Sequence, residues 1–212
     1  MMTTLDLITY LFLIAVGAVW WRFWNEVNPA PNDSKDTGHY LATAGLMEAG
    51  IPLSPDAPPQ HAVLGDALRD IAARGVYKND VAFLTEAKTA YEAIVEGFAS
   101  GHIDSISHLL SAGVREDFER HVLARQQRGE TEELIFIGFR DAEIVDAAIE
   151  DGLVWIEVRI LADLVSATRD ASGSVIAGDS IHVSQCAELW MFEQHMRQKR
   201  PVWLLSATDS DE

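Results

Sequence analysis

The chain has 212 residues, 48% of them hydrophobic, which is enough for one cored domain with extensions. Its 33 acidic residues against 16 basic give a formal charge of −17, which excludes nucleic acid as a main partner because phosphate binding needs clustered Lys and Arg. The same charge opposes the folded part lying flat on an anionic membrane, and the single cysteine, Cys186, leaves no internal disulfide and no CxxC motif.

Residues 1–24 predict a membrane anchor. LITYLFLIAVGAVWW, Leu7 to Trp21, carries no charge, and Leu5 to Trp24 approaches the ~20 apolar residues that span a bilayer. Leu7, Leu11, Phe12, Ile14 and Val16 form its apolar body. Trp20, Trp21 and Trp24 beside Arg22 have the character of an interfacial aromatic belt. A cleaved signal peptide is the competing reading, opposed by an n-region without Lys or Arg and by tryptophans where small cleavage-site residues belong. A buried core helix, the third reading, is opposed by the position ahead of a linker. Arg22 and Lys35 follow the span and no Lys or Arg precedes it, so the positive-inside rule predicts a single pass with a cytoplasmic C-terminal domain.

Residues 25–60 read as a linker holding six of the seven prolines, Pro29, Pro31, Pro52, Pro55, Pro58 and Pro59, and NPAPNDSKDTG buries too little apolar surface to order itself. Within it HYLATAGLMEAGIPL is less polar and suits a short helix or docking on a partner. Residues 61–208 form the predicted folded domain. His61–Arg74 is a helix with Val63, Leu64, Ala67, Leu68 and Ile71 on one side, ended by Gly75. The long helix that follows aligns Phe83, Ala87, Tyr91, Ile94 and Phe98, widened by Leu84 and Val95, with Asn79 and Asp80 as cap oxygens and Gly101 as its stop. After a short helix, Val114, Phe118 and Val122 mark a third that ends at Gly129.

Strands follow. LIFIGF is the first, and Ala142–Ile149 continues it or forms a bulged extension; Glu150, Asp151 and Gly152 make a turn. In the next strand Val154, Ile156, Val158 and Ile160 alternate with Trp155, Glu157, Arg159 and Leu161, so one face is buried and the other mixed. DASGSVIAGD reads as a hairpin loop, Ile181–Glu193 as the third strand, Met196–Arg200 as a basic turn closed by Pro201, VWLLSAT as the last strand, and residues 209–212 as a solvated acidic tail. Helices first and hairpin-linked strands after them make an α+β plan: helices on one face of a curved antiparallel sheet of about four strands.

Chemistry is sparse. The seven histidines form no H-x-x-x-H or H-E-x-x-H pair, and no GxGxxG, GxxxxGK or GxSxG occurs, so neither a metal nor a cofactor is expected. Cys186 reads as a half-buried strand residue, and Tyr91 as core with a hydroxyl able to reach a pocket. Glu157, Arg159 and Asp163 are the carboxylates and cation that a base-catalysed site would draw on, but they alternate with the apolar set and so belong to the opposite face. Trp155 and Leu161 share that face with Glu157 and Arg159, an interface-like mixture. Trp190, Phe192 and Trp203 line a pocket or fill the core, Trp203 the latter. Arg197, Lys199 and Arg200 are the densest basic patch, a solvated turn or a contact with the membrane surface.

AYEAIVEGFASGHIDSISHLLSAGVREDFERHVLARQQRGE, IFIGFRDAEIVDA, VRILADLVSATRDASGSVIAGD, ELWMFEQH and RPVWLLSAT, in this order from Asn79 to Thr208, resemble the Tim forty-four-like domain family. The resemblance implies a cone-like α+β domain related to the nuclear-transport-factor-2-like folds, with a large apolar pocket or groove. Mitochondrial members are import-motor scaffolds, relatives hold the ribosome at the inner membrane, and bacterial members are regarded as inner-membrane adaptors with an N-terminal anchor and a variable linker. This sequence lacks the long N-terminal region and the basic amphipathic helix of the mitochondrial pattern, so an import-motor role is not implied. The expectation is a bacterial inner-membrane, non-enzymatic adaptor, in contact with the lipid bilayer through its first helix and with a membrane protein or complex through its domain. An accessory subunit of a membrane complex, such as a respiratory one, is the alternative, and a lipid-binding or enzymatic cone a further one.

Overall fold

The computed structural model describes residues 60–197 and 202–211. The anchor at 1–24, the linker up to Pro59, and Lys199 and Arg200 lie outside the described residues. Within them the order is α1 (Gln60–Ala73), α2 (Asp80–Ser100), α3 (Ile103–Ile106), a short 3-10 turn (Ser107–Leu109), α4 (Ala112–Gln127), then β1 (Thr131–Glu150), β2 (Leu153–Arg169), β3 (Val175–His195) and β4 (Leu204–Ser210). The strands form one antiparallel sheet in the order β1-β2-β3-β4.

The helix boundaries follow the cap chemistry. Asn79 accepts a hydrogen bond from the Ala82 amide at the start of α2, and Gly101, at φ 76°, closes it in the left-handed conformation. Ser111 caps α4 in the same way through the Val114 amide. Phe83, Ala87, Tyr91 and Ile94 are buried as the periodicity predicts, while Phe98 is only partly buried and packs on Phe118 of α4, ring centroids 4.6 Å apart.

At 20, 17 and 21 residues, β1, β2 and β3 far exceed a usual strand, and a sheet that long cannot stay flat. β1 carries three register shifts, between Phe136 and Gly138, Phe139 and Asp141, and Ile144 and Asp146. Each sets two residues opposite one, which bends the strand and increases its twist. The shifts also keep Phe136, Phe139, Ala142, Ile144, Ala147 and Ile149 packed on the core, although their spacing of 3, 3, 2, 3 and 2 is not a strand period. The bulged extension is therefore the correct one of the two alternatives for Ala142–Ile149.

Two hairpin details differ from expectation. DASGSVIAGD is half strand: the turn ends at Ser174 and β3 begins at Val175. A wide bulge follows, because Leu164 pairs with Ser184 and Ser166 with Asp179, leaving residues 180–183 opposite Val165 alone. Asp179 holds this bulge by accepting from the amides of Ile181 and His182 and pairing with the His182 ring at 2.8 Å, contacts that bring its pKa down to about 2. Gly178 makes the entry possible at φ 71°, and a Cβ there would stand 2.3 Å from the Ser166 carbonyl oxygen. Gly178→Ala is thus expected to destabilise the domain by about 1–3 kcal/mol, measurable as a lowered urea midpoint with an unchanged m-value. At the other end, β4 runs through Ser210, so Asp209 and Ser210 belong to the sheet and not to a solvated tail; Asp211 turns back on Arg159 at 3.6 Å.

The core sits between α1, α2 and the inner face of the sheet. Val154, Ile156, Val158, Ile160 and Ala162 of β2 are wholly buried there, as the alternation requires. Phe83 packs edge-on against Phe192 and Trp203, at 6.0 and 5.0 Å, so these aromatic residues are core.

Candidate functional site

The two faces of the sheet differ in chemistry. On the inner face, Tyr91 of α2 is fully buried among Phe136, Phe139 and Trp190, with ring centroids 6.0, 5.5 and 4.5 Å away. Its hydroxyl donates to the Glu188 carboxylate at 2.9 Å, and Trp190 Nε1 donates to the same oxygen at 3.3 Å. Glu188 shares this face because β3 alternates, placing it two residues before Trp190. Residue 188 as a whole is half-buried, but the carboxyl group is packed deeply enough that burial raises its pKa, against the lowering effect of the two hydrogen bonds. Burial, then the Glu188 carboxylate, raises Tyr91 well above the usual phenol range. Cys186, next on this face, is half-buried as expected, and burial together with Glu188 pushes its thiol up to about 11, the opposite of an activated nucleophile.

The sequence points to Glu157, Arg159 and Asp163 as acid–base candidates and not to Glu188. The signal was present: in CAELWMF, Cys186, Glu188, Trp190 and Phe192 fall on one side of a strand, and a lone carboxylate in an apolar row needs a partner. What no local pattern supplies is Tyr91, 97 residues away.

Glu157, Arg159 and Asp163 lie on the outer face, where the alternation put them. Cross-strand rows run Ala148–Trp155–Glu193, Asp146–Glu157–Met191–Ala207, Glu143–Arg159–Leu189–Asp209 and Asp141–Leu161–Ala187. The structure therefore brings Trp155, Glu157, Arg159 and Leu161 together as one patch, extended by Leu189 and Met191. No described helix covers it. Arg159 pairs with Glu143 and Asp211, and Arg140 with Asp163 at 2.7 Å. Glu157 has no counter-ion among the described residues, and burial, then Asp146 and Asp209, raises its pKa. Asp146 is raised by burial as well.

Among the described residues no group of three His, Cys, Asp or Glu side chains is placed to hold a metal ion, and no helix is long and apolar enough to cross a membrane. A shallow groove lies between the end of α2, α3 and the start of β1, lined by Gly97, His102, Ile103, Ile106, Leu134 and Ile135.

The Tim44-like domain model matches residues 65–210, well over half of the chain. The chain belongs to the Tim44-like domain family. The match spans most of α1 through β4, so helices and sheet together make up the Tim44-like domain. A sequence comparison with curated proteins returns no match. Among solved structures, the intermembrane space region of the chloroplast protein ARC6 aligns at 9% identity with a TM-score of 0.38, over 54% of this chain and 82% of that one. A protein assigned as a dehydratase of the NTF2-like family from Streptomyces avermitilis aligns at 11% identity with a TM-score of 0.35, over 61% and 97%.

Proposed function

We propose that this Tim44-like domain is the soluble head of a membrane-anchored, non-enzymatic adaptor at the bacterial inner membrane, holding a membrane-associated protein on the outer face of its sheet. The observation that carries the reading is the patch of Trp155, Glu157, Arg159 and Leu161: half-buried apolar side chains and charges side by side on a face that no described helix covers. Aromatic and aliphatic anchors with a polar surround are the usual composition of a protein interface. The interior supports the same reading, because Glu188 is enclosed by Tyr91 and Trp190 and committed to both, which is how a structural carboxyl is held. The sequence at 1–24 supplies the membrane attachment and the proline-rich 25–60 its reach.

The test is affinity purification of the tagged full-length protein from membranes in mild detergent, beside Trp155→Ser/Leu161→Ser. The reading expects partner proteins with the wild type and their loss with the variant at equal expression. One stoichiometric complex would make the protein an accessory subunit, and several substoichiometric partners a transient adaptor. Recovery of the same partners by both proteins would overturn the assignment of the outer face.

A further inference from the structure

We propose that the segment held on the outer face is a Lys- or Arg-bearing amphipathic stretch of the partner protein; the inference rests on the adaptor reading and adds the chemistry of what is bound. The floor of the patch is apolar, made by Trp155 and Leu161 of β2 with Leu189 and Met191 of β3, all half-buried without a covering element. Set into it are carboxylates without a counter-ion among the described residues: Glu157 directly across from Asp146, with Asp209 one row away on β4. Among the described residues the cations of the same face are already used, Arg159 by Glu143 and Asp211, Arg140 by Asp163.

Charge complementarity separates the occupants. A second copy would set the same carboxylates against each other, and like charges across an interface are costly. An anionic lipid surface is repelled for the same reason. Residues 39–53 of this chain, HYLATAGLMEAGIPL, carry Glu48 as their only Asp, Glu, Lys or Arg and bring no positive charge. An apolar segment alone would cover the floor but strand Glu157 in a desolvated position, a penalty that a partner cation removes. Apolar side chains against Leu161 and Met191 with Lys or Arg reaching Glu157 and Asp146 satisfy both halves of the face.

The experiment uses the full-length protein in zwitterionic nanodiscs, with empty nanodiscs as baseline. Two fluorescent synthetic peptides share one leucine periodicity, one carrying lysines and the other glutamates. The Lys peptide is expected to bind at least about ten-fold more tightly and to weaken with added salt. Glu157→Gln/Asp146→Asn should weaken it about ten-fold. Removing two exposed acids of α2, Glu86→Gln/Glu92→Gln, should leave it within about two-fold. Circular dichroism and thermal melts identify a variant that has lost its fold, in which case competition settles the matter: excess Lys peptide must displace the natural partner from the wild type. Equal affinity for both peptides, equal weakening by both variant pairs, or a partner that the Lys peptide does not displace would overturn the inference. In that last case the partner is still lost with Trp155→Ser/Leu161→Ser, so the adaptor reading survives. If no partner is recovered at all while the Lys peptide binds, the adaptor reading fails instead.

Discussion

Arg125→Ala is expected to destabilise the domain by about 3–5 kcal/mol and to lower its Tm by roughly 10 °C. Arg125, in the last turn of α4, ties three elements together. Its Nη2 donates to the carbonyls of Phe98 and Ala99 at 3.0 and 2.9 Å, its Nη1 pairs with Glu132 at the start of β1, and the guanidinium lies 5.5 Å from the Phe98 ring. Both charged side chains are close to fully enclosed, 11% and 9% exposed. Most other ion pairs of the domain are solvent-exposed and each contributes little. Truncating Arg125 takes the donor from the Ala99 carbonyl, leaves the Phe98 carbonyl only the Gly101 amide, and leaves the Glu132 carboxylate buried and unpaired. The remedy is local: Glu132→Gln in the Arg125→Ala background should recover part of the loss, as a double-mutant cycle measures. Burial already raises Glu132 despite the opposing Arg125, and removing the arginine raises it further. A carboxyl whose folded pKa is raised favours folding most below its unfolded value, and that contribution is lost as pH rises through the folded value. The cost of Arg125→Ala must therefore shrink on acidification.

Tyr91→Ala should cost a comparable amount, about 3–5 kcal/mol, because a fully buried ring that touches Phe136, Phe139 and Trp190 leaves a cavity. Tyr91→Phe separates packing from polarity. The ring stays, the hydroxyl goes, and Glu188 retains only the longer bond from Trp190, for a cost of about 1–3 kcal/mol. That cost is carried by the ionised carboxylate, so it is expected above the folded pKa of Glu188 and should fade as acid protonates the group. Glu188→Gln reads the same group from the other side. The Glu188 pKa is raised, so the wild type is favoured below the ordinary carboxylate value and loses that contribution as pH rises. Glu188→Gln escapes this loss, and its stability relative to wild type should grow from pH 4 to pH 8. Urea unfolding at both pH values checks the sign, and an opposite slope would show that the carboxylate is stabilised as an anion.

How much of this was legible depended on the range of the interaction. The caps at Asn79 and Gly101, the buried stripe of α2 and the alternation of β2 are short-range patterns, and they appear where the sequence put them. The outer patch was legible for the same reason: once Val154, Ile156, Val158 and Ile160 face the core, Trp155, Glu157, Arg159 and Leu161 face outward. β1 was half legible, because each bulge shifts the period by one residue and only the partner strand shows that the pairing resumes. Val175–Gly178 reads as loop by composition, yet β2 extends far enough to pair with it. Arg125 was visible only as a cation near a helix end; its acceptors lie 26 and 27 residues back and its acid 7 residues ahead. Glu188 and Tyr91 meet only through the packing of α2 on the sheet.

The central claim, that the outer face of the sheet is where a partner sits, is tested most directly by photo-crosslinking in intact membranes. A photoreactive amino acid replaces Leu161 in the full-length protein, and in a parallel sample Glu92, exposed on α2 across the core. The account predicts a discrete crosslinked protein from position 161, lost when Trp155→Ser is added, and none from position 92. The same crosslinked protein from position 92 alone, with position 161 silent, would contradict it and move the binding surface to the helices.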